Sequence, residues 1–122
     1  MKKNILLEKS YNFALRIVRL CRFLQDGKKE YVISKQLLYS GTNVGAFVEE
    51  SQQGEDRPDS VHLLTQANKS ATKTNFCLRL IRDSNYLNET MFQSVFDDCV
   101  ELQKILVRTI ITTEPTTFNY QI

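Results

Sequence analysis

Apolar residues recur along this chain at spacings of three and four through four successive stretches, and only a few residues separate one stretch from the next. That period marks helices that each bury one side. In the first stretch, about 4–26, Leu6, Ser10, Phe13, Ala14, Ile17, Cys21 and Leu24 share a face. Asp26-Gly27 closes it, and Gly27 is expected in the left-handed conformation that ends many helices. The second stretch, about 34–53, opens at Ser34 as its N-cap and turns Leu37, Ser40, Gly41, Val44, Val48 and Ser51 inward. Gly54 stops it.

Pro58 and Asp59 suit the first turn of a third helix over about 58–85. Its inner stripe is Val61, Leu64, Ala67, Asn68, Ala71, Thr74, Asn75, Leu78 and Ile81, small and partly polar. Asn88 is placed to cap a fourth helix over about 88–114, with Leu87 and Phe92 as a hydrophobic staple and Met91, Val95, Cys99, Leu102 and Leu106 in its stripe. Pro115 ends it, leaving 116–122 as an expected flexible tail. Long helices on short links must run antiparallel to their neighbours. The expected fold is all-α, an antiparallel up-down-up-down four-helix bundle forming a single domain over residues 1–115.

Composition agrees where it bears on this. Only four Gly and two Pro occur in 122 residues, too few turn formers for an all-β sandwich or barrel. A chain of this size buries roughly two-thirds of its unfolded surface, so it needs no metal or disulfide to fold. Three cysteines, an odd number and all inside helical patterns, point to a reducing, cytoplasmic compartment. The opening Met1-Lys2-Lys3-Asn4-Ile5-Leu6-Leu7 begins like a signal peptide, but its apolar run stops at Glu8-Lys9 with no small-residue cleavage site. No stretch reaches the roughly 18 apolar residues of a membrane span.

The net charge of +2 conceals an uneven distribution. Residues 1–35 carry nine Lys/Arg against three Asp/Glu, and residues 36–122 carry seven against eleven. Lys9, Arg16, Arg19 and Arg22 lie on the first helix away from its apolar stripe, and Lys28 and Lys29 extend the charge beyond its end. Such a row is either a solvated face or a surface that tracks phosphates. Tyr11, Tyr31 and Tyr39 suit stacking on unpaired bases or packing, and spacing alone does not separate the two.

Three other features have structural readings. Gly41-x-x-x-Gly45 lacks the Gly-Lys-Ser/Thr ending of a phosphate loop, so its role is close helix approach, with the Ala67/Ala71 stripe as the expected neighbour. Asp59-x-x-His62 has the spacing of a helical metal pair, but a di-metal bundle needs two such histidines and the chain has one. No metal or other cofactor is expected. On the third helix Lys69, Lys73, Phe76 and Leu80 share a side opposite the core; Phe76 and Leu80 there suit a contact between subunits, or docking of Phe118 and Tyr120 from the tail.

The segment Val32-Ile33-Ser34-Lys35-Gln36-Leu37-Leu38-Tyr39-Ser40-Gly41-Thr42-Asn43-Val44-Gly45-Ala46-Phe47-Val48-Glu49-Glu50 resembles the Gln-Leu-x-x-Ser-x-x-Ser-Ile-x-x-Asn-x-x-Glu helix of the four helix bundle protein family, the 23S ribosomal RNA intervening-sequence proteins. Ser10-x-x-Phe13 and Lys69-x-Ala71-x-x-Thr74-x-Phe76-x-Leu78 extend the likeness over nearly the whole chain. Ser70 and Lys73 stand where the family has glutamates, Cys77 where it has Trp, and Asn43 and Phe47 where its second helix has Ser and Asn. The resemblance implies a bacterial, cytoplasmic bundle with a left-handed twist, assembled as a homopentameric ring with a basic surface. A related group serves as accessory subunits of reverse transcriptases. The function expected is therefore non-enzymatic binding of RNA through Lys9, Arg16, Arg19, Arg22, Lys28 and Lys29, the rival being a scaffold for a polymerase-like protein partner.

Overall fold

The structure is a computed structural model that describes residues 4–54 and 56–113. Four long helices run up, down, up and down: α1 (Ile5–Arg22), α2 (Val32–Ser51), α3 (Arg57–Asp83) and α4 (Glu89–Thr113). The expected tail and the boundary at 115 lie outside the described residues.

Each helix start has a local cause. The Asn4 side chain accepts the Leu7 N–H at 3.0 Å, and Asp56 accepts that of Asp59 at 2.9 Å, with Pro58 in the first turn where its missing N–H costs nothing. Asn88 accepts the Met91 N–H at 2.8 Å, while Leu87 and Phe92 are both buried in the core beneath that turn.

The start of α2 differs from expectation. Ser34 is not its N-cap; the helix begins at Val32, and the cap is the Glu30 carboxylate. Glu30 accepts the backbone N–H groups of Val32 (3.1 Å), Ile33 (2.9 Å) and Ser34 (2.7 Å). A charged carboxylate satisfies three orphan donors and faces the positive end of the helix dipole, where one hydroxyl would satisfy a single donor. Ser34 is instead buried: its hydroxyl donates to the Glu30 carbonyl at 2.8 Å and accepts from Gln25 Nε2 at 3.1 Å.

The end of α1 is a second correction. The helix widens into a π turn over Phe23–Gly27, and no described glycine has a positive φ. Lys29 takes the left-handed conformation instead, at φ 57°, and the Glu30 N–H closes the turn on the Leu24 carbonyl at 3.0 Å. The wider turn carries the chain past Gly27 before it reverses, so the left-handed position falls two residues later than the glycine.

The core is the set of inner stripes meeting on the bundle axis, among them Phe13, Ile17, Leu24, Leu37, Val44, Val48, Leu64, Leu78, Ile81, Phe92, Val95 and Leu102. Met91, expected in this stripe, is partly exposed, and Phe92 takes the buried position. Small hydroxyl residues within the core are satisfied on their own helices, as when Ser40 donates to the Leu37 carbonyl and Ser51 to that of Val48. One such group also crosses between helices: Thr74 of α3 and Ser40 of α2 are hydrogen-bonded at 2.9 Å.

Gly41 and Gly45 do mark a close approach, but toward α1 rather than toward the Ala67/Ala71 stripe. A Cβ on Gly41 would lie 2.8 Å from two carbons of Ile17; one on Gly45 would lie 3.2 Å from the Ser10 carbonyl oxygen and 3.6 Å from the Ala14 Cβ. Ala67 and Ala71 are fully buried on α3, and the Ala71 carbonyl accepts the Cys99 thiol of α4 at 3.6 Å. Glycine spacing shows that one strip of α2 is bare, not which neighbour fills it.

Candidate nucleic-acid interface

The six cations expected on one face divide into two groups. Lys9 and Arg16 point across the seam between α1 and α4. Lys9 Nζ lies 3.2 Å from Glu101 Oε1, and Arg16 Nη1 lies 2.7 Å from Asp98 Oδ2 while also donating to the Ser94 carbonyl at 3.2 Å. Both cations are thus paired with carboxylates of α4, in each case on a partly exposed surface. They line a groove of about 620 Å³ with Arg19, Phe23, Met91, Asp98 and Glu101, a mixed surface rather than a basic one, and Arg19 borders it without an ion pair among the described residues.

Arg19 and Arg22, in the last turn of α1, and Lys28 and Lys29, in the link to α2, make no ion pair among the described residues. Their placement at a helix C-terminus is favourable in itself, since the dipole there is negative. Lys28 is held 5.9 Å from the centre of the Phe23 ring, a cation–π distance. The Cys21 thiol donates to the Ser34 carbonyl at 3.3 Å, which sets the last turn of α1 against the first turn of α2. Arg22 and Lys35, each the next residue in sequence, are both exposed at that level. Lys35 was missed as a member of this group; its signal was its position four residues from both Tyr31 and Tyr39.

The structure resolves the two readings of the tyrosines as far as packing goes. Tyr11, Tyr31 and Tyr39 are 63%, 49% and 67% exposed, so none of them is a core residue. Near the same end Glu30 is only 7% exposed. Burial opposes its ionisation, but its three backbone donors outweigh that and hold the carboxyl below the usual glutamate range. Glu30 therefore stays a capping anion turned inward.

On α3, Phe76 and Leu80 are 50% and 39% exposed, with the Arg79 guanidinium 5.8 Å from the Phe76 ring centre. Phe118 and Tyr120, the alternative partners for this strip, lie outside the described residues. His62 is exposed, and no group of three or more His, Cys, Asp or Glu is placed to hold a metal among the described residues. Cys21, Cys77 and Cys99 are all buried; burial pushes the Cys21 and Cys99 thiols up to about 12 and raises that of Cys77. No described helix is long and apolar enough to cross a membrane.

Fold and surface together define a small antiparallel four-helix bundle with cations at one end that make no ion pair among the described residues. The chain belongs to the 23S rRNA-intervening sequence protein family, whose sequence profile matches residues 2–108. It is similar to the crystal structure of a protein of unknown function from the S23 ribosomal protein family of Bacteroides thetaiotaomicron VPI-5482. The two are 38% identical over 87% of this chain and 98% of that one, with a TM-score of 0.86. No curated protein matches the chain.

Proposed function

We propose that the chain is a non-enzymatic, cytoplasmic, homo-oligomeric bundle that binds RNA through the end where α1 passes into α2. The observation that carries this reading is that Arg19, Arg22, Lys28 and Lys29 lack carboxylate partners among the described residues, while Lys9 and Arg16 have them. Phosphates are the natural counter-ions for such a group, and each phosphate engaged releases condensed cations. Phe76 and Leu80 supply the contact between subunits in this reading. Several copies of a modest basic end in one ring, a homopentamer on the family's pattern, would raise avidity without new contacts.

Binding of a fluorescent RNA followed by anisotropy across a salt series tests the proposal. Affinity falls log-linearly with salt, and each of Arg19→Gln, Arg22→Gln, Lys28→Gln and Lys29→Gln lowers the slope by about one or less. Unchanged affinity and slope in the fourfold variant would overturn it. The exposed Phe76 and Leu80 also favour a second reading, a scaffold that grips a polymerase-like protein; capture of one defined protein that persists at high salt and is lost in Phe76→Glu would favour that reading instead.

A further inference from the structure

We propose that the outer face at the start of α2 receives unpaired RNA bases on the rings of Tyr31 and Tyr39, with Lys35 between them on the backbone phosphate. This inference rests on the RNA reading above and names the form of RNA. Tyr31, Lys35 and Tyr39 follow at intervals of four residues, so they share one broad side of the helix. At 1.5 Å per residue the two tyrosines stand about 12 Å apart along the axis. That separation leaves room for a nucleotide backbone to pass over Lys35 from one ring to the other.

Three observations argue for bases rather than for solvent alone. Tyr31 is about half exposed, Tyr39 two-thirds exposed and Val32 beside Tyr31 71% exposed, an apolar surface that water disfavours. Neither phenol has a hydrogen-bond partner among the described residues, so neither ring is held by the bundle's own polar network. The charged residues nearest in sequence are Arg22, Lys28, Lys29 and Lys35 against Asp26 and Glu30, a net positive set that suits a polyanion. Tyr11 does not join them; it lies about three turns of α1 away from Arg22.

The geometry selects against duplex. Bases in a helix are stacked on one another and show only their edges, and the major groove of double-stranded RNA is too narrow for side chains to read. Flat rings standing on a convex helix can meet only bases already out of a stack. Single strands and loops offer such π faces whatever their sequence.

The full chain is assayed with an oligouridine and with a blunt RNA duplex of equal length, using Tyr31→Ala, Tyr39→Ala and the matching Phe variants. The chain contains no Trp, so its emission comes from its five tyrosines, and the part of the quenching that is lost in Tyr31→Phe and Tyr39→Phe reports on this face. The expected result is preference for the single strand and quenching on saturation. Each Ala substitution weakens binding by about tenfold with no change of salt slope, and each Phe substitution binds like the parent. Circular dichroism melts confirm that every variant is folded. Equal affinity for duplex and single strand, or Ala variants that bind like the parent, would overturn the stacking while leaving the basic-end reading in place. Absence of any RNA binding by the parent chain sinks both.

Discussion

Gly41 of α2 lies directly against Ile17 of α1: a Cβ at position 41 would stand 2.8 Å from both Cγ1 and Cγ2 of Ile17, closer than such atoms pack. Both residues are buried in the core, and Ile17 is branched at Cβ, so it has few rotamers in which to retreat. Replacing Gly41 by Ala gains about 0.5–1 kcal/mol of helix propensity and meets about 1–3 kcal/mol of overpacking. The expected net loss is about 1–2 kcal/mol in urea unfolding. Gly45→Ala is milder, since its nearest obstacle is the Ser10 carbonyl oxygen at 3.2 Å. A Gly41→Ala protein more stable than the parent contradicts the assignment of this contact.

The Glu30 cap predicts a pH dependence. Its folded-state carboxyl titrates below the ordinary glutamate value of about 4.3, so in that acid window the unfolded chain binds more protons than the folded one. The stabilisation is present above the ordinary value and is lost as pH falls through the folded one. Urea midpoints of the parent and of Glu30→Gln, compared from neutral to acid pH, should differ most at neutrality and converge at low pH. A constant gap would show that the charge of Glu30 does not support α2. Glu30→Ala, which strands buried N–H groups, should cost about 1–3 kcal/mol at neutral pH.

The three thiols should be silent in the native protein. Reaction with a disulfide reagent proceeds through the thiolate, which burial disfavours at Cys21, Cys77 and Cys99 alike. Native chain at mildly alkaline pH should label only as fast as it unfolds, with all three sites modified together, whereas denaturant should expose them at once. Rapid labelling of one cysteine in native buffer would show that its helix opens locally.

Arg16 and Arg22 differ by less than two turns of α1, yet they should behave differently. Arg16→Gln removes a pair with Asp98 whose side chains are 38% and 47% exposed, worth about 0.2–1 kcal/mol after solvent screening, and it should leave RNA affinity nearly unchanged. Arg22→Gln should leave stability unchanged and lower both affinity and salt slope. Equal effects of the two substitutions on RNA would mean that the whole of α1, not its end, faces the ligand.

Much of this was legible in the sequence. The stripes of α1 and α2, the Asn88 cap and the exposure of Phe76 and Leu80 follow from local spacing, and local spacing is what a helix obeys. What escaped was decided between elements. Lys9 and Glu101 are 92 residues apart, and Arg16 and Asp98 are 82 apart, so nothing local joins them. The neighbour of Gly41 depends on how α1 rotates about its axis. Ser34 looked like a cap because hydroxyls often are, but a carboxylate four residues earlier reaches the same donors once the link folds over them. Gly27 stood where a left-handed residue would follow a plain α-helix, and the π turn moved that position to Lys29.

If the basic end binds RNA as proposed, that displacement sets folding and recognition against each other at a single residue. A side chain at φ 57° costs roughly 1–2 kcal/mol that a glycine avoids, less the freedom a glycine adds to the unfolded chain. Libraries randomised at position 29 and sorted for heat tolerance should therefore drift to Gly or Asn, while the same libraries sorted for retention on a polyanion should hold to Lys or Arg.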